Sequence, residues 1–145
     1  MANQTTITAN KKLVEEFIRR VFNEHNGKLP RIISAVMCRG TEEPWERSGI
    51  RRHDQLFGNL FAALPDLHAT TLSVVADEDT VWCRFVVEGT NEGSLFGFPA
   101  TGKTVRWDEI DTYRLTNGKI AEEWSSPDMT NILYQVGAYT PPWIS

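Results

Sequence analysis

The chain has 145 residues, a hydrophobic fraction of 41%, a charged fraction of 23% and a formal net charge of −4. That length supports a single domain over residues 1–145 with a real core, and the acidic balance argues against a phosphate-binding surface, so nucleic acid is not an expected partner. No apolar run approaches the ~20 residues that cross a bilayer, and residues 1–10 are polar without the apolar centre of a secretory signal. Two widely separated cysteines, Cys38 and Cys83, lack a metal-type spacing, and the plain expectation is a cytoplasmic protein with reduced thiols and no membrane partner.

In chain order, Leu13, Val14, Phe17, Ile18, Val21 and Phe22 recur at helical spacing and predict a helix over residues 10–23, with Thr8 as N-cap and Asn26-Gly27 as stop. His25 lies at that helix end and reads as structural. A short helix over 29–37 and a loop over 39–49 containing Trp45 follow. Leu56, Phe57, Leu60 and Phe61 predict a third helix over 50–64, ended by Pro65-Asp66. Then the period changes from about 3.6 to 2. Residues 69–76 and 80–88 alternate as strands around Asp77-Glu78-Asp79, and Gly89 to Gly93 breaks or bulges the second of them. After Pro127, Asp128 is placed to cap a short helix over 129–136. The tail 138–145 carries Tyr139 and Trp143 and suggests, with the outer sheet face, a homodimer.

Residues 104–115 and 119–124 form a hairpin across Thr116-Asn117-Gly118, because Asn-Gly supplies the two positive φ angles of a type I′ turn. A regular register sets Leu115 opposite Ile120, Tyr113 opposite Glu122 and Asp111 opposite Trp124. Alternation then gives one face to Trp107, Glu109, Asp111, Tyr113, Glu122 and Trp124, and the other to Arg106, Asp108, Ile110, Arg114 and Glu123. Carboxylates on an apolar face are costly unless paired or protonated, which marks the face as a ligand pocket. Helices first and antiparallel strands afterwards is the α+β order, a curved sheet wrapped around the helices and enclosing an apolar cavity.

The chain resembles the SnoaL-like polyketide cyclases of the nuclear-transport-factor-like (NTF2-like) cone fold. The matching residues are Leu64-Pro65-Asp66-Leu67, Gly89-Thr90 with Gly93, Phe96-Gly97-Phe98-Pro99-Ala100-Thr101-Gly102-Lys103, Asp111-Thr112-Tyr113-Arg114, Asn117-Gly118-Lys119-Ile120, Glu122, Trp124, Asp128 and Tyr134-Gln135-Val136-Gly137. The resemblance runs over residues 10–137 and implies an enzyme of secondary metabolism without a cofactor, commonly an aldol cyclase. It also implies a histidine–aspartate pair, whose positions are taken here by Asp111 and Ser125. Relatives that hydroxylate anthracyclines, isomerise or close other rings keep the fold and alter that pair. For both positions to meet in one cavity, the last strand must bulge or end near Trp124–Ser125.

Asp111 is the expected general acid or base, with Glu122 as a second carboxylate, Tyr113 or Ser125 as oxyanion donor and His53 at the cavity mouth. Trp107, Trp124, Phe85 and Trp82 are candidate walls for a cyclic ligand, Glu109 a mouth carboxylate, and Arg84 a partner for a buried acid or a substrate anion. No metal or nucleotide motif is present, and a non-catalytic small-molecule-binding or assembly domain is the reading from another class.

Overall fold

A computed structural model describes residues 3–26 and 50–144, with residues 50–53 as backbone alone. The predicted elements over 29–37 and 39–49, together with Cys38, Trp45 and the side chain of His53, lie outside the described residues. The first helix, α1 (Gln4–Ile18), starts earlier than its apolar stripe. Asn3 caps it by accepting from the Thr5 amide at 3.0 Å, while Thr8 sits inside and donates back to the Gln4 carbonyl. The helix widens into one π turn, Arg19–Asn23, which carries buried Val21 and Phe22, and His25 ends it at φ 51°. Helix α2 (Ile50–Ala63) brings Phe57 against Phe22 at 5.2 Å between ring centroids.

Four antiparallel strands follow as a meander: β1 (His68–Ala76), β2 (Thr80–Thr90), β3 (Thr104–Thr116) and β4 (Lys119–Pro127). Helix α3 (Met129–Gln135) is capped by Asp128, which accepts from the Asn131 amide, and packs on β3. β2 continues through Gly89 rather than breaking there. A Cβ at Gly89 would lie about 3.1 Å from Leu64 and Asp66, so the missing side chain lets the strand pass under the α2–β1 corner. Asp66 closes that corner by accepting from the amide and hydroxyl of Thr90, which holds its carboxyl below the usual range.

The turn at Asn117-Gly118 has φ of 52° and 68°, as the type I′ expectation requires. The register beyond it differs from the expected one. Leu115 pairs with Ile120, but Arg114 pairs with Glu122, Tyr113 with Glu123, Thr112 with Trp124 and Asp111 with Ser125. Ala121 is the extra residue of a bulge, and a one-residue slip sends every later β4 side chain to the other face. Glu122 and Trp124 therefore face outward, and Glu123 and Ser125 face inward.

On the concave face β3 alternates without exception: Val105, Trp107, Glu109, Asp111, Tyr113 and Leu115 are all buried. Their β2 neighbours Val81, Cys83, Phe85 and Val87 are buried too, and the Cys83 thiol is pushed up to about 12, first by burial and then by Asp111. An unreactive core thiol is the consequence.

Candidate active site

Three carboxylates, Glu109, Asp111 and Glu123, end up buried on the inner sheet face, and Ser125 stands beside them. They line a cavity of about 150 Å³ whose other described walls include Phe22, Phe57, Trp107, Met129 and Ile132. Each carboxylate is there because of strand alternation, Glu109 and Asp111 being two residues apart on β3 and Glu123 entering through the Ala121 bulge.

Their hydrogen bonds differ. Glu109 accepts from the Trp107 indole N–H at 2.9 Å on Oε2 and from the Ser125 hydroxyl at 2.7 Å on Oε1. Asp111 accepts the Tyr113 hydroxyl at 2.9 Å on Oδ2, its Oδ1 takes a long 3.4 Å approach from the Ser126 amide, and the Ser125 side chain also reaches it. Asp111 is 1% exposed. Burial pushes its carboxyl well above the ordinary range, the charges of Glu109 and Glu123 push it further, and the bonds to Tyr113 and Ser125 offset part of this. Glu109 is raised as well, by burial first, but its two donors oppose the rise. The environment thus separates two neighbouring carboxyls, and Asp111 is the one pushed further toward its protonated form. Burial and the Asp111 charge also hold the Tyr113 hydroxyl well above its usual value, so it stays a neutral donor.

Of the sequence candidates, Asp111, Glu109, Trp107 and Ser125 line this cavity. Tyr113 lies behind it, fully buried, its ring edge-on to Phe17 at 5.7 Å. Glu122 is excluded from it by the bulge and bonds Arg114 on the outer face at 2.5 Å. Trp124 is outward opposite Thr112. Trp82 is on the outer face and 41% exposed; Arg84 is there as well, paired with Asp108 at 2.9 Å. Phe85 is on the inner face but packs into the core against Phe22 at 5.3 Å rather than lining the cavity. Glu123 is the site residue the sequence reading put on the wrong face. The helix residues Phe22, Leu56, Phe57 and Leu60 carried an apolar signal that core packing explains equally well. Among the described residues no group of three or more His, Cys, Asp or Glu side chains is arranged to hold a metal ion.

One loop reaches over the cavity from the far end of β2. Asn91 is fully buried and ties the base of this loop, donating to the Gly93 carbonyl at 2.7 Å and accepting from the amide and hydroxyl of Thr101 at 3.0 Å. A Cβ on Gly93 would meet the Ala62 carbonyl oxygen at 2.5 Å. Gly93→Ala is expected to cost roughly 1–3 kcal/mol of stability, because backbone rather than a side chain must move, and a denaturant titration checks it. At the loop's tip, Leu95 and Phe98 exchange amide–carbonyl bonds of 3.0 and 2.9 Å around Phe96 at φ 50° and Gly97 at φ 86°. Phenylalanine in the left-handed region costs about 1–3 kcal/mol, whereas Gly97 adopts it freely.

A helix-backed curved sheet with ionisable groups on the floor of an apolar cavity defines a small-molecule-binding cone of the NTF2-like α+β class. The SnoaL-like polyketide cyclase family model matches residues 12–136, and the chain belongs to that family. No curated protein matches it significantly. Its fold is similar to that of AclR, a proposed hydroxylase from Streptomyces galilaeus, with a TM-score of 0.77 at 22% identity over 92% of this chain and 99% of that one. It is similar to TsrD from Streptomyces laurentii, with a TM-score of 0.77 at 21% identity over 96% and 100% of the two chains. A candidate polyketide cyclase from Acidithiobacillus ferrooxidans gives 0.76 at 21% identity over 91% and 96%.

Proposed function

We propose that this single-domain protein is an acid–base enzyme of secondary metabolism that works without a cofactor and enolises a small hydrophobic, polyketide-like or terpenoid-like ketone for cyclisation or isomerisation. The observation that carries the reading is the pair Asp111 and Glu109, adjacent on one buried strand face and held by different donors. Glu109 takes a proton from the carbon next to the substrate carbonyl, and Asp111 gives its proton to the carbonyl oxygen, leaving a neutral enol. In isomerisation Glu109 returns its proton to another carbon of the conjugated enol while the enol hydroxyl returns its proton to Asp111. In ring closure the enol carbon attacks a second carbonyl, whose oxygen takes the proton from Glu109, while the enol hydroxyl returns its proton to Asp111. Atoms and charge balance in either course. Trp107 acts on substrate through Glu109, Tyr113 through Asp111 and Ser125 through both carboxyls, so the oxyanion is served by Asp111 itself.

A non-catalytic binder would be favoured by inward carboxylates neutralised in ion pairs. Among the described residues, Arg114 pairs with outward Glu122, and neither Glu109 nor Asp111 has an ion-pair partner. At 22% identity the likeness to AclR carries the fold alone, so hydroxylation gains no separate support.

Deuterium exchange at the methyl group of acetophenone, followed by NMR, tests enolisation without knowledge of the natural substrate. Exchange above buffer that is lost in Asp111→Asn and in Glu109→Gln is expected; exchange equal to buffer contradicts the reading.

The protein acts in the cytoplasm as a homodimer in this account, with a second copy on the outer sheet face. Leu72, Val75, Trp82 and Ile110 are exposed there, flanked by the pairs Arg84–Asp108 and Arg106–Glu88. Such an apolar patch rimmed by both charge signs suits a self-complementary two-fold contact. Sedimentation is expected to give a dimer for the full chain and for a chain truncated after Gly137, and a monomer for Trp82→Glu. A monomeric full chain contradicts it.

A further inference from the structure

Glu109 takes a hydrogen from carbon in the proposed reaction, and replacing it with one from water requires a route out of the fold. Glu109 and Asp111 are both buried, and a substrate bound in the cavity of about 150 Å³ leaves little room for water beside them. A group that passes protons inward has to donate and accept at once. The Trp107 indole and the Ser126 amide only donate, so neither can do this. The Tyr113 hydroxyl can, but it lies fully buried behind Asp111, away from water.

Ser125 differs from these partners. It stands opposite Asp111 in the β3–β4 register, gives its hydrogen to Glu109 Oε1 at 2.7 Å, and its side chain reaches Asp111 as well. Unlike the two acids, Trp107 and Tyr113, it is exposed. Pro127 and Met129 line the cavity with it, and Met129 is exposed too, so the cavity reaches water at this end of β4. The placement depends on the Ala121 bulge, since the regular register would turn Ser125 outward. A serine hydroxyl carries one hydrogen and two acceptor lone pairs, which is what a link between a carboxyl and water needs.

We infer that Ser125 is a positioning residue through whose hydroxyl the buried pair exchanges protons with water. When Glu109 holds a proton taken from carbon, that proton passes to Ser125 Oγ while the hydrogen already on Oγ passes to a water molecule. A solvent proton returns by the same two transfers in reverse, so Glu109 regains a proton and the hydroxyl its hydrogen. Each transfer breaks one O–H bond and forms another, and nothing is oxidised or reduced. The inference rests on the reading of Glu109 as the base and adds how the hydrogen it carries is replaced.

The test follows a hydrogen from one carbon to another. Cyclohex-3-en-1-one is converted to cyclohex-2-en-1-one in heavy water, and NMR reads deuterium at C4 of the product at early conversion. Glu109 delivers that hydrogen, so the deuterium found per turnover measures exchange and does not depend on the rate. The original chain is expected to place deuterium there in most of the product. Ser125→Ala and Ser125→Val are each expected to lower that fraction by at least about fivefold, the factor that one ordinary hydrogen bond contributes. Ser125→Thr keeps the hydroxyl and is expected to restore the fraction. Threonine and valine share a shape, so that pair decides should Ser125→Ala not fold. Equal fractions in Ser125→Val and Ser125→Thr, or an original chain that transfers the hydrogen without exchange, overturn this inference alone. Turnover in Ser125→Thr with none in Ser125→Val overturns it too, because the hydroxyl would then serve the chemical step. No conversion by the original chain contradicts the enzyme reading and this inference with it.

Discussion

Asp111→Asn is expected to lower acetophenone exchange by about 10²- to 10⁴-fold while making the protein more stable at neutral pH. The loss of rate follows from removing the proton that is given to the carbonyl oxygen, a contribution of that size for a positioned general acid. The gain in stability follows from linkage. Asp111 has a folded pKa raised well above its unfolded value near 3.9, so above that pH the native state binds the proton more tightly than the unfolded chain does. Stability then falls as pH rises through the interval between the two values, by up to about 1.4 kcal/mol per pH unit for this group. Asparagine cannot ionise in either state and keeps an oxygen to accept the Tyr113 hydroxyl at 2.9 Å. Thermal melts between pH 5 and 8 check this: the original chain loses Tm across the range more steeply than the variant. Asp66, held low by its bonds to Thr90, contributes with the opposite sign, its stabilisation fading as pH drops through its folded value. A substitution that lowers activity and stability together would mean that Asp111 is a structural carboxylate.

The second large effect separates two adjacent glutamates. Glu123→Gln is expected to cut exchange at alkaline pH by about tenfold or more and to move the alkaline limb of the pH–rate profile to lower pH. The direction follows because the Glu123 charge is one of the causes that raise Asp111. Without it Asp111 loses its proton earlier, and a general acid is active only while it holds one. Glu122→Gln is expected to leave the profile in place, since Glu122 sits on the outer face with Arg114. At 38% and 15% side-chain exposure that pair is partly screened, and its loss should cost no more than about 1 kcal/mol. If instead Glu122→Gln moved the limb and Glu123→Gln did not, the regular register would hold in solution.

The contrast also shows what the sequence carried. The concave face of β3 was legible because strict alternation from Val105 to Leu115 meets a strong Asn-Gly turn, and a two-residue turn fixes which residues face each other beside it. The bulge at Ala121 was not. A single extra residue leaves no compositional trace, and a glutamate stands at both 122 and 123, so the slip leaves the number of inward carboxylates unchanged. The expected meeting of Asp111 and Ser125 did require a bulge or an ending in the last strand. The structure supplies the bulge nearer the turn than expected, and β4 then runs on to Pro127. The start of α1 was missed because residues 4–9 are polar and lie outside the apolar stripe, so only the Asn3 cap marks it. Outward placement of Trp82, Arg84 and Trp124 follows once pairing is known, whereas aromatic content alone favoured a cavity wall. The strain at Phe96 is a property of φ, and a Phe-Gly dipeptide does not announce it.

In the proposed mechanism one aspartate inside the cone, Asp111, holds a proton when ordinary carboxyls have lost theirs. Carbon-13 NMR titration of the side-chain carboxyls, with the Asp111 signal assigned by its disappearance in Asp111→Asn, measures this directly. The Asp111 carboxyl resonance is expected to titrate well above those of the exposed aspartates, and to move to lower pH in Glu123→Gln. An Asp111 signal that titrates near pH 4 with the solvent-exposed aspartates would contradict it.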